Sequence, residues 1–172
     1  MEAQELQEHA EHAHHAGEKG IGLTTAVVGV LMAVATMLGH RAHTREVVLQ
    51  TEVNDKWGYY QAKNIRSHMY AADAKLAKLM PNGETLVEDF AKDSEKQKKD
   101  AEEIRKDAEK LTEETHLMEH KANFFDFSEL AMVISVVLCS IALLSENKMF
   151  WKLSFITTLV GVGLGIWGLM LH

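Results

Sequence analysis

Residues 21–39, IGLTTAVVGVLMAVATMLG, carry no charged side chain. At about 1.5 Å of rise per residue such a run makes a helix about 28 Å long, close to the hydrocarbon thickness of a bilayer, and it reads as a membrane span. Two further apolar runs follow. LAMVISVVLCSIALLS, 130–145, is slightly short, but Phe124, Phe125 and Phe127 precede it and suit the interface, where aromatic rings partition. MFWKLSFITTLVGVGLGIWGLMLH, 149–172, is interrupted only by Lys152 near one end, where a lysine stem lets its amine reach the headgroups. Ser145, Glu146, Asn147 and Lys148 join these last two runs into a tight transmembrane hairpin. The apolar content of 47% is ordinary, so concentration into three blocks is the informative feature. Buried core helices of a soluble protein are the weaker reading of the first and third blocks.

The leader MEAQELQEHAEHAHHAGEKG is acidic and His-rich with a single Lys, unlike the short positive n-region of a secretory signal, so the first span is expected to be a retained anchor. A net charge of −7, with no stripe of Lys and Arg standing apart from carboxylates, argues against nucleic acid as a partner. The single cysteine, Cys139, lies in the second span, which excludes a disulfide framework within one chain and favours a packing role.

Between the first and second spans the one strong break is Pro81-Asn82-Gly83, a turn signal. The spacing predicts one helix running out of span one to about Met80, with Gly58 its weak point, and a second returning over 84–123. In the returning arm Phe90, Ser94, Gln97, Ala101, Ile104, Ala108, Leu111, Thr115, Met118, Ala122 and Phe125 alternate in steps of four and three, a heptad seam with polar interruptions. Ile65, Met69, Ala72, Leu76 and Leu79 show the same steps in the outgoing arm. Two seams joined by a short turn predict an antiparallel hairpin with arms about 60 Å long, favoured over two independent surface helices. Seams this thin make an isolated hairpin marginal, so membrane anchors or further copies are expected to support it.

Leu49, Val53, Trp57 and Tyr60 form a stripe that changes phase before Ile65, so the apolar positions cannot all face one partner helix. Trp57, Tyr59 and Tyr60 are therefore expected at a contact with neighbouring protomers, ahead of packing within one hairpin or a small-molecule site. VNDKWGYYQAKNIRSHMY, 53–70, preceded by an EHAEHAHHAGE leader and a span and followed by FFDFSELAMVISVVLCSIALL and a terminal apolar hairpin, resembles the bacterial membrane proteins grouped as domain of unknown function 4337. The resemblance covers essentially the whole chain, and NDxWxYYQAK is its most specific part. It supports the order of the parts and implies no catalytic residue.

Among ten histidines, His9, His12, His14 and His15 stand in the leader with Glu8 and Glu11. Imidazoles beside carboxylates can bind Zn²⁺, Ni²⁺ or Cu²⁺, weakly unless their geometry is fixed, and a solvated leader is the preferred alternative. His116 with His120, and His40 with His43, lie within one helical turn near the membrane ends of the arms; a shared four-His site is conceivable, with headgroup-facing histidines the default. Neither pair brings the HExxH glutamate, and no phosphate loop, nucleophile elbow or paired carboxylate occurs, so no enzyme and no tightly bound cofactor is expected. The span interiors lack Asp, Glu, Lys and Arg, which disfavours ion-coupled transport. Gly161 and Gly165, with Thr157 in phase, form a GxxxG signal for close helix contact, placed here at the oligomer interface; Ser135 and Cys139 line span two, and Gly29 with Ala33 lines span one.

The expected fold is all-α, a membrane protein with three transmembrane helices and a long extramembrane antiparallel helical hairpin, coiled-coil-like, between spans one and two. Its parts are a leader (1–20), span one (21–39), the hairpin (40–127, turning at 81–83), span two (128–145) and span three (149–171). Arg41, Arg45, Lys56, Lys110 and Lys121 on the hairpin side, against Lys19, Lys148 and Lys152 opposite, favour a cytoplasmic hairpin in a bacterial inner membrane. The expected role is a homo-oligomeric scaffold that docks an unidentified protein partner at its hairpin. The rivals are an oligomeric pore lined by Thr24, Thr25 and Thr36, and a metal sensor built on the leader.

Overall fold

The computed structural model describes the backbone of residues 2–171 and the side chains of residues 19–171. Among the described residues there are three helices, α1 (Glu2–Ala77), α2 (Glu84–Ser145) and α3 (Lys148–Met170), and no strand. Each contains a stretch long and apolar enough to cross a membrane. Neither Gly nor Pro interrupts 84–145, so the charged part of α2 runs without a break into its apolar part.

The sole proline sets the first break. Pro81 disfavours helical backbone at the residue before it, and α1 ends at Ala77, short of the expected Met80. Two tighter bonds, Leu79 N–H to the Leu76 carbonyl and Met80 N–H to the Ala77 carbonyl, both 3.0 Å, close the end. Asn82 takes the left-handed conformation (φ 62), and the Gly83 carbonyl accepts the Val87 N–H at 3.0 Å to start α2. At the second break Glu146 is left-handed (φ 53), and the Asn147 side chain caps α3 by accepting the Met149 N–H at 2.9 Å.

The chain divides into two compact units. The first contains the chain up to Thr44 and from Leu117 onward. Within it α1 and α2 run antiparallel: Ile21 packs with Cys139 and Ala142, Val28 and Ala35 with Met132, and Ala42 with Ala122 and Phe125. Its interior mixes small and polar residues with Ile21, Val28, Phe125 and Met132, whereas most of its large aliphatics point outward. Ser128, Ser135, Ser154 and Cys139 are fully buried, while Leu23, Val30, Leu130, Leu159 and Trp167 are each more than half exposed. An exterior covered by large apolar side chains is the reverse of a water-soluble surface.

The second unit spans Arg45–His116. Partners ascend along α1 as they descend along α2: Lys56 meets Asp107 at 3.3 Å, Lys63 meets Asp100 at 2.8 Å, and Ser67 and Ser94 exchange hydroxyl-to-carbonyl bonds of 3.0 and 2.9 Å. On α2 the inward face carries Phe90, Ser94, Gln97, Ala101, Ile104, Ala108, Leu111 and Thr115. On α1 the inward face is not the expected row. Ile65, Met69 and Leu76 are 59, 59 and 62% exposed, and Leu49, Val53, Ser67, Ala74 and Ala77 are buried instead. An unbroken helix keeps the phase set by Leu49 and Val53, and steps of three and four from there reach Lys63 and Ser67, on the far side from Ile65. Both polar residues have a partner across the seam, which makes their inward placement tolerable.

The bond from Lys63 holds the Asp100 carboxyl below its ordinary value of 3.8. A lowered value in the folded chain means that the pair's stabilisation is complete above the unfolded carboxyl value and is lost as pH falls through the folded one. Acid titration from about pH 5 to about pH 2, followed by thermal melting, is therefore expected to show a decline that Asp100→Asn makes shallower. Equal slopes in the two chains would remove this pair from the acid response.

Candidate functional site

In the first unit the contact between α2 and α3 is built on two rows of seven-residue period. Ser128, Ser135 and Ala142 on α2 face Ser154, Gly161 and Gly168 on α3, and all six are buried. That period keeps one face of each helix on its partner at a small crossing angle. The Ser128 hydroxyl donates to the Gly161 carbonyl at 2.7 Å, and the Ser135 hydroxyl donates to the Ser154 carbonyl at 2.9 Å and lies 2.7 Å from the Thr158 hydroxyl. The Cys139 thiol donates to the Ser154 hydroxyl at 3.3 Å. These groups are committed to carbonyls or to one another, an arrangement that joins helices rather than activating a nucleophile.

The glycines set the separation. A Cβ on Gly161 would stand 3.0 Å from both the Ser128 carbonyl oxygen and Met132 Cγ, and one on Gly165 would stand 3.0 Å from the Ser128 hydroxyl. The GxxxG approach is thus made to α2 of the same chain. Ser128 and Ser154 were not singled out from sequence; the seven-residue spacing of Ser128 to Ser135 and of Ser154 to Gly161 was the available signal. Ser135→Ala is expected to destabilise the solubilised chain by about 0.6 kcal/mol, the average for a hydrogen bond between helices in lipid. Thermal melting in detergent checks this, and an unchanged midpoint would show the bond to be neutral.

At one end of this unit the Trp151 indole donates to the Thr24 hydroxyl at 3.1 Å. The hydroxyls of Thr24, Thr25 and Thr36 donate to the carbonyls of Gly20, Ile21 and Met32, at 2.9, 3.0 and 2.9 Å. The residues expected to line a pore thus spend their donors on their own helix. At the other end His43 Nε2 lies 3.1 and 3.3 Å from the two Asp126 carboxylate oxygens. Among the described residues no three His, Cys, Asp or Glu side chains are grouped to hold a metal ion. The candidate ligands His9, His12, His14 and His15 lie outside the described side chains.

In the second unit Trp57 and Tyr60 are half-buried and meet edge to face, with centroids 5.5 Å apart, while Tyr59 is 65% exposed. Tyr59 borders an open groove of about 400 Å³ with Glu52, Asp55, Lys56, Ile104 and Leu111. The aromatic cluster therefore splits, two rings packing on each other and one facing outward.

Fold and contacts together define a protein whose described residues form three helices, each with a stretch long and apolar enough to cross a membrane. The chain belongs to the family described as Domain of unknown function (DUF4337), which matches residues 17–171. Comparison with curated proteins and with solved structures gave no match.

Proposed function

We propose that this chain is a non-enzymatic, homo-oligomeric scaffold of a bacterial inner membrane, anchored by three transmembrane helices, with an extramembrane antiparallel helical hairpin, coiled-coil-like, that bundles with its neighbours and offers a surface to a protein partner. The apolar exterior of the first unit carries the membrane reading. Leu23, Val30, Leu159 and Trp167 face outward while serines and glycines face inward, and only an apolar surround makes that distribution favourable. The thin seam of the second unit supports bundling, because Ala74, Ala77, Ala101 and Ala108 bury little area and leave large aliphatics outside. Exposed Tyr59, and the Trp57 and Tyr60 pair beside it, add aromatic contact area of the kind that anchors interfaces. Arg41, Arg45, Lys56, Lys110 and Lys121 favour the cytoplasmic side for the hairpin.

Light scattering of the detergent-solubilised chain tests the scaffold, with a particle of several chain masses expected. A particle of one chain, 19.3 kDa after subtraction of detergent, would overturn it. Reconstituted protein is expected to pass no ions in planar bilayers; steady unitary currents would replace the scaffold with a pore.

A further inference from the structure

We propose that the outward row of α1 in the second unit, Ile65, Met69, Ala72 and Leu76, continued toward its N-terminus by Ala62 and Gly58, is the seam along which two copies of this chain pair in parallel and in register. The inference rests on the homo-oligomeric reading above and names the surface that reading requires.

The row recurs in steps of four, three, four, three and four, the spacing of a coiled-coil seam. Every member is exposed, and Ile65, Met69 and Leu76 keep 59, 59 and 62% of their surface in contact with solvent. The corresponding outward row of α2, with the same alternation of steps, is Lys92, Lys96, Lys99, Glu103 and Lys106, also exposed. One helix of the unit is therefore solvated on its outer face, whereas the other presents an apolar stripe wide enough to take a second helix. The small residues Gly58, Ala62 and Ala72 allow close approach, and Ile65, Met69 and Leu76 supply the knobs.

Charge admits a second copy, and anchoring sets its direction. With the row as core, Gln61 and His68 stand on one flank and Arg66 and Asp73 on the other. In a parallel pair the flanking contacts join a residue to the one five positions later on the second copy, so His68 meets Asp73 and Gln61 meets Arg66, and no like charges face each other. An antiparallel pair with the same core layers would set His68 against Lys75 and Arg66 against Asp73, so the flanks accept a second copy in either sense. Copies inserted the same way into one membrane can meet only in the parallel sense, so anchoring selects the parallel pair, in which no like charges face each other.

Cysteine cross-linking in the full chain, solubilised and mild-oxidant treated, tests this. Met69→Cys and Leu76→Cys place thiols in equivalent core layers, where facing Cβ atoms come within disulfide reach. Both are exposed positions, so the single chain is left intact. Lys99→Cys, on the charged row, is the control, and the unsubstituted chain accounts for buried Cys139. The expected result is about tenfold more covalent dimer from Met69→Cys and Leu76→Cys than from Lys99→Cys, in a particle of several chain masses. A particle of that mass with no excess at Met69 or Leu76 would overturn the seam and leave the scaffold standing. A monomeric particle would overturn both.

Discussion

Replacing Gly161 with leucine is expected to force α3 away from α2 and to lower the stability of the solubilised chain by about 3 kcal/mol. Gly161 is fully enclosed by α2: Ser128 O and Met132 Cγ each stand 3.0 Å from where a Cβ would be, and Ala131 Cβ stands at 3.3 Å. Met132 can turn aside, but the Ser128 carbonyl belongs to an unbroken helix and cannot move alone. Separation would also stretch the 2.7 Å bond from the Ser128 hydroxyl to the Gly161 carbonyl, leaving buried polar atoms without partners. Gly161→Ala should cost about 1 kcal/mol, because one methyl asks for a shift of only tenths of an ångström. Gly163 provides the contrast, since a Cβ there meets nothing within 4 Å. Gly163→Leu is expected to melt within a degree or two of the unsubstituted chain. If Gly161→Leu melted there as well, the close contact between α2 and α3 would not exist in the folded protein.

The second large effect is expected at the turn of the second unit. A Cβ on Gly83 would run into the Ala77 carbonyl and lie 3.2 Å from the Met80 carbonyl oxygen, both of them backbone. Gly83→Val is therefore expected to open the turn at a cost of about 3 kcal/mol, with loss of the bonds from Gly83 N–H to the Met80 carbonyl and from Val87 N–H to the Gly83 carbonyl. Hydrogen exchange would register this as faster exchange at Gly83 and Val87 and along the neighbouring ends of α1 and α2. Asn82→Ala should cost less, about 1 kcal/mol, since it removes only a residue tolerant of the left-handed conformation at φ 62. Unchanged protection in Gly83→Val would show that the turn relaxes without strain.

Local signals made the helical content legible. Three apolar runs, charged only at Lys152 near one end of the third, specify helices able to cross a membrane, because length and composition decide that property residue by residue. Pro81-Asn82-Gly83 marks its turn because each residue has its own backbone preference, and the α2 row from Phe90 to Thr115 stands out because nothing on that helix competes with it. The end of α1 was displaced to Ala77 because the effect of Pro81 on Met80 is compounded by a last turn that tightens before it.

Sequence alone determined where the helices run, since each helix is held by bonds between residues four apart and by the composition of its own stretch. Tertiary structure decided which face each helix turns to its partner. Two rows on α1 satisfy the same spacing rule, and the more apolar one, with Ile65 and Met69, is left outside because the Lys63 bond to Asp100 and the Ser67 exchange with Ser94 hold the other row inward. Those partners sit on another helix beyond the turn, so no local pattern contains them. The same holds for Gly161 and Gly165, whose spacing announces a close neighbour and whose neighbour, Ser128, is specified only when α3 folds back along α2.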